Sequence, residues 1–129
     1  MEEQEPPKSV LVCEDDKGWR RILCARLEKM GYRIAGEAET GVESVNRFVE
    51  TEPDIVLLDL KMPEGDGLTV LRFVRELNNE VRVVMITADN TPHAVQTALR
   101  LGANDYIIKG PLTNERFLRA LGEPAPPNE

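Results

Sequence analysis

The 129-residue chain is predicted to be an α/β protein, a (βα)5 three-layer sandwich with a doubly wound parallel sheet between two layers of helices. Three observations carry that prediction. Short apolar runs rich in β-branched residues alternate with longer amphipathic segments. The strand-then-helix alternation recurs about five times. The length suits one domain, large enough to bury a core without disulfide or metal staples.

Each element has its own signal. Val10-Leu11-Val12-Cys13 is an apolar run ending at charged residues, as a buried parallel strand requires. Trp19, Ile22, Leu23, Leu27 and Met30 follow at helical steps, with Arg and Lys assigned to the opposite face. Gly31 stops that helix, and a weaker strand spans Tyr32 to Glu37. Val42, Val45, Phe48 and Val49 mark the second helix, and Ile55-Val56-Leu57-Leu58 the third strand. Leu68, Leu71, Val74 and Leu77 mark the third helix, followed by a strand over Val81 to Ile86. Ala94, Val95, Ala98, Leu99 and Leu101 mark the fourth helix, and Tyr106-Ile107-Ile108 the last strand. Phe117, Leu118 and Leu121 give a closing helix of only about two turns. Residues 1–8 are expected to be a loose arm, 9–121 the folded domain, and 122–129, GEPAPPNE, a tail or linker whose prolines cannot extend a helix.

Composition narrows the function classes. The net charge of −7 disfavours non-specific nucleic-acid binding, which needs clustered Lys and Arg. Two cysteines, Cys13 and Cys24, are too few for a disulfide framework and are expected to be buried thiols. The chain shows no charged-then-apolar leader and no apolar run of membrane-spanning length, so the cytoplasm is the expected compartment and no membrane partner is expected.

The residues that carry chemistry fall at the expected strand ends. Glu14, Asp15 and Asp16 follow the first strand, Asp59 the third, Thr87 the fourth and Lys109 the fifth. Ligand sites of open parallel sheets lie at the carboxyl ends of the strands, so these residues should converge. Crowded carboxylates repel and favour protonation unless a cation joins them. With no Cys or His in the set, a hard divalent ion is expected: Mg²⁺, which pairs a few carboxylates with waters and a phosphate oxygen. Asp59, at the end of a very apolar strand, is the candidate nucleophile for aspartyl-phosphate chemistry. Lys109 and the Thr87 hydroxyl are placed to stabilise the transferred group. Singly, each has an ordinary reading as a turn, cap or solvated side chain, and Asp16 keeps one, the cap of the first helix. Four strand ends each supplying the needed type is a far more specific pattern.

The stretches VLVCEDD, DIVLLDLKMPEGDGL, VVMITA and GANDYIIKG resemble the response-regulator receiver-domain family of two-component signalling, the CheY-like superfamily. The resemblance implies a flavodoxin-like five-stranded sheet and a signalling switch rather than an enzyme. It implies transfer of a phosphoryl group to Asp59 from a phosphohistidine on a sensor histidine kinase or phosphotransfer protein. Glu14, Asp15, Asp59 and the backbone carbonyl of Lys61 are the implied Mg²⁺ ligands. Thr87 is the implied switch hydroxyl, Lys109 the phosphoryl-binding lysine, and Tyr106 the switch aromatic, whose ring turns inward on activation. The implied partners are the donor and a downstream effector bound on the face of the fourth helix, fifth strand and fifth helix; a homodimer formed on phosphorylation also fits. Lys61 and Asp89, two residues beyond Asp59 and Thr87, are expected to flank the path of attacking water and, as a pair, to slow loss of the phosphoryl group.

The sequence departs from the family after its lysine, where Lys109-Gly110-Pro111 stands in place of an immediate proline. A cis bond before glycine costs about 2.5–4 kcal/mol against roughly 0.5–1 before proline, so a trans bond is one outcome and a strained loop the other. Gly18 and Trp19 also differ from commoner family choices, and at the level of sequence they do not touch the chemistry. A flavin or nucleotide module would want a glycine- or hydroxyl-rich loop where Glu14-Asp15-Asp16 stands. A haloacid-dehalogenase-type hydrolase would want an aspartate where Lys61 stands. The remaining alternative is a degenerate receiver that docks partners without phosphorylation.

Overall fold

A computed structural model describes residues 6–124. Residues 1–5 of the expected arm and 125–129 of the expected tail lie outside the described residues. The elements run β1 (Ser9–Cys13), α1 (Lys17–Lys29), β2 (Arg33–Ala38), α2 (Gly41–Thr51), β3 (Ile55–Leu58), α3 (Gly67–Leu77), β4 (Arg82–Thr87), α4 (Pro92–Arg100), β5 (Asp105–Ile108) and α5 (Asn114–Ala120). All strand pairs are parallel, in the order β2-β1-β3-β4-β5. The chain therefore winds both ways from β1, and the crevice between β1 and β3 is the switch point of the sheet.

Strand periodicity sorts the core into two layers. Val10 and Val12 of β1 pack with Leu23, Leu27 and Phe117 from α1 and α5. Leu11 and Cys13, one step along, pack with Phe48, Val70, Val74 and Ala98 from α2, α3 and α4. Each helix begins at a side-chain cap, Asp16, Thr40, Asp66, Thr91 and Thr113 in turn, which satisfies an amide the helix leaves unpaired. Asp16 thus takes the capping role expected of it.

The differences from expectation are local. β2 and β4 each sit one residue later at both ends, since the Tyr32 ring and Val81 fill the core from the turns before them. Ile22, Val42, Val49, Leu77 and Leu99, assigned to buried helix faces, are exposed. A helix lying on a sheet covers only one stripe, and these five flank it. Arg20, assigned to the solvent face of α1, is buried. No peptide bond among the described residues is cis, so Lys109-Gly110 is trans, with Gly110 at φ 147°. No described helix is long and apolar enough to cross a membrane.

Candidate metal and phosphoacceptor site

The polar cluster forms because backbone pairing continues one residue past each strand. Glu14 N–H donates to Ala38 O (2.9 Å), Asp59 N–H to Cys13 O (2.9 Å) and Lys109 N–H to Thr87 O (2.8 Å). Glu14, Asp59 and Lys109 are thereby fixed just beyond β1, β3 and β5, while Thr87 is the last residue of β4. Glu14, Asp59 and Thr87 are buried, and Asp15 and Lys61 are exposed at the mouth.

The Lys109 ammonium bridges the two buried carboxylates, 2.8 Å from Glu14 Oε1 and 3.1 Å from Asp59 Oδ2. Asp59 Oδ1 accepts from Lys61 N–H at 3.3 Å, and Glu14 Oε2 from Asp16 N–H at 3.0 Å. Burial pushes the Glu14 carboxyl up to about 7, and the neighbouring Asp59 pushes the same way; Lys109 and the Asp16 amide pull against them. Burial lowers the Lys109 ammonium, but its two carboxylate partners outweigh that and hold it above its ordinary value.

The donor set fits a hard divalent cation. Glu14, Asp15 and Asp59 each offer a carboxylate oxygen, all within 4.8 Å of one another. Glu14 Oε1 is fully buried with the Lys109 ammonium 2.8 Å away, so a cation entering the cluster would share this oxygen with Lys109. An all-oxygen set half open to water is the kind Mg²⁺ takes.

Two expectations at the rim change. The Tyr106 ring is already inside, 8% exposed, with its hydroxyl donating to Asp89 O at 2.7 Å. This is the ring placement expected only after activation. Space beside Ala94, Ala98 and Ala103 in the same core layer accommodates it. Asp89 forms no ion pair with Lys61 among the described residues; its Oδ1 accepts instead from Thr91 N–H (3.0 Å) and Oγ1 (2.8 Å). Those bonds, foremost, hold the Asp89 carboxyl below its ordinary value, with a smaller pull from Lys61.

Sequence reasoning missed two residues. Arg20 donates from Nη1 to the Glu14 carbonyl (2.9 Å), from Nε to Glu37 Oε1 (3.1 Å) and from Nη2 to Glu39 Oε1 (3.3 Å), tying the ends of β1 and β2 together beneath the site. Trp19, set aside as remote from the chemistry, places its ring centroid 5.4 Å from Lys109 Nζ. The available signal was their position, within one and a half turns of the acidic residues on the helix that β1 feeds.

Comparison with known proteins identifies the family and the fold. The family model described as response regulator receiver domain matches residues 10–121. The chain is 32% identical to the chemotaxis protein CheY of Bacillus subtilis over 114 residues, 88% of this chain and 94% of that one. It is 33% identical to CheY of Thermotoga maritima, over 90% of this chain and 96% of the other. It spans 51% of a 38%-identical response regulator from Halalkalibacterium halodurans, with 92% of this chain covered. Among solved structures, a chain of the CheX–CheY–BeF3–Mg²⁺ complex from Borrelia burgdorferi superposes with a TM-score of 0.84 at 32% identity, covering 89% of this chain and 87% of its own.

Proposed function

The chain belongs to the response regulator receiver domain family, and on that premise we propose that it is a Mg²⁺-dependent phosphoacceptor switch whose acceptor is Asp59. The observation that carries this reading is the Lys109 ammonium between Asp59 and Glu14, with an Asp15 oxygen in the same cluster. In the proposed reaction an Asp59 carboxylate oxygen attacks the phosphorus of a phosphohistidine donor in line. As the O–P bond forms, the P–N bond breaks and its electron pair departs on the imidazole nitrogen, which takes up a proton. Lys109 neutralises charge on the phosphoryl oxygens, and the Thr87 hydroxyl donates a hydrogen bond to one of them. Glu14, Asp15, Asp59 and the Lys61 carbonyl would hold Mg²⁺, which supplies further charge neutralisation when bound. The BeF3–Mg²⁺ composition of the Borrelia burgdorferi complex supports both the metal and the phosphoryl-like occupant.

Residues 9–121 are the proposed receiver unit, acting in the cytoplasm. A histidine kinase or phosphotransfer protein is the proposed donor. The face of α4, β5 and α5 is the proposed effector surface, biased by Thr87 and Tyr106. The test is phosphorylation by phosphoramidate with Mg²⁺, read by intact mass. Wild type should gain one acid-labile phosphoryl group, and Asp59→Asn or EDTA should abolish the gain. Equal labelling of wild type and Asp59→Asn overturns the assignment, and a folded wild type that takes no label leaves the docking-only receiver as the better reading.

A further inference from the structure

We propose that Trp19 is a positioning residue for Lys109, its indole face holding the ammonium at the acidic pocket. The inference rests on the phosphoacceptor reading above and adds a residue to it. Lys109 is anchored at its backbone by the bond to Thr87 O, 2.8 Å, but its ammonium stands at the end of a flexible four-carbon stem. Beyond it, Gly110 is exposed at φ 147°, with open space where a side chain would stand, and so offers the ammonium no contact. Three groups do meet the ammonium: Glu14 Oε1 at 2.8 Å, Asp59 Oδ2 at 3.1 Å, and the Trp19 ring, its centroid 5.4 Å away.

The three contacts have different fates. Both carboxylates belong to the cluster that fits a divalent cation, and Asp59 is also the group that would be esterified. Each step toward the phosphorylated state therefore draws a partner away from Lys109. The indole is neutral and is claimed by neither metal nor phosphoryl group. Trp19 sits in the first turn of α1, where its backbone N–H donates to Asp16 Oδ1 at 2.9 Å, so the point from which the ring extends is fixed. The ring thus keeps the ammonium over the site while its ionic partners change. A cation–π contact of this kind is sensitive to the aromatic face and not to apolar bulk alone.

The test compares wild type with Trp19→Ala, Trp19→Leu and Trp19→Phe. The saturating rate of phosphorylation by phosphoramidate should fall roughly 2- to 30-fold in the Ala and Leu variants, the range such a contact supplies, and be largely restored by Phe. Half-saturating Mg²⁺ should not move, since the indole is no ligand. A second readout is independent of turnover. In metal-free protein the Lys109 Hε resonance, assigned by its loss in Lys109→Met, should be displaced upfield by the ring current in wild type and Trp19→Phe, and return to its ordinary position in the other two. Equal rates in wild type and Trp19→Ala, Leu performing as well as Phe, or an undisplaced Hε resonance in wild type each overturns the role while Asp59 labelling stands. Absence of Asp59 labelling in wild type overturns the phosphoacceptor reading and this role with it.

Discussion

Burial makes single residues at the sheet edge behave unlike their free counterparts. Glu14 is a carboxylate shut off from solvent beside Asp59, and burial first, then that neighbour, push its carboxyl up to about 7 against the pull of Lys109. Arg20 reaches the same region from below. Replacing Arg20 with Ala leaves the Glu14 carbonyl without this donor and removes the cation between Glu37 and Glu39. The expected cost is about 1–3 kcal/mol of stability, the penalty for an unsatisfied buried group. Urea unfolding should report it, with a parallel rise in the Mg²⁺ concentration needed for phosphorylation; Arg20→Lys should recover part of both. At the rim, Lys61 and Asp89 are not ion-paired, so any shielding of the phosphoryl group comes from bulk and charge held separately. Loss of phosphate from labelled protein should be faster in Lys61→Ala/Asp89→Ala than in wild type. Equal decay would show that water reaches the site by another path.

At the scale of elements, the acceptor is held by the close approach of the loop after β3 to the start of α3. Gly67 N–H donates to Leu60 O at 2.7 Å, and a Cβ at Gly67 would collide with the Asp59 backbone carbonyl. Only glycine permits that approach. Gly67→Ala should therefore cost roughly 1–3 kcal/mol, as overpacking does, and should slow labelling of Asp59 because the carbonyl that must retreat belongs to the acceptor itself. A urea midpoint lowered at constant slope, together with slower phosphorylation, is the expected pair of results. Gly41, whose Cβ would strike the Gly65 carbonyl, plays the matching part where α2 begins. The helices are otherwise ordinary: each has a side-chain cap and one stripe on the sheet.

Across the whole molecule, stability should depend on pH through the ion pair that joins β5 to α5. Arg116 Nη1 donates to Asp105 Oδ2 at 2.9 Å and Nη2 to Asp105 Oδ1 at 3.0 Å. Burial raises the Asp105 carboxyl, but Arg116 and the Tyr106 amide outweigh it and hold it below its ordinary value. A carboxyl lowered in the folded state contributes stability that is present above its unfolded value, near 3.9, and lost as pH falls through the lower native one. Asp105→Asn should thus be less stable than wild type at neutral pH, by about 1 kcal/mol or less given the partial exposure of the pair. The difference should close in acid, and denaturant midpoints measured from pH 7 to pH 2 would show whether it does.

The alternation of β-branched runs with amphipathic segments was enough, by itself, to yield the α/β class, the parallel sheet and the convergence of Glu14, Asp15, Asp59, Thr87 and Lys109 on one edge. In a parallel sheet every strand enters from the same side, so residues that follow strands must share an end. The Asp16 cap was legible too, because capping is a local exchange between a side chain and an amide three residues on. What the pattern could not reveal depends on packing between elements distant in sequence. Which flank of each helix faces the sheet left Ile22, Val42, Val49, Leu77 and Leu99 outside and drew Arg20 in. The inward Tyr106 ring depends on room left among alanines of α4 and the loop after it. Trp19 meets Lys109 across ninety residues of chain only because α1 begins beside the strand end that β5 reaches. Periodicity records what each segment needs to bury; the tertiary structure alone decides what it is buried against.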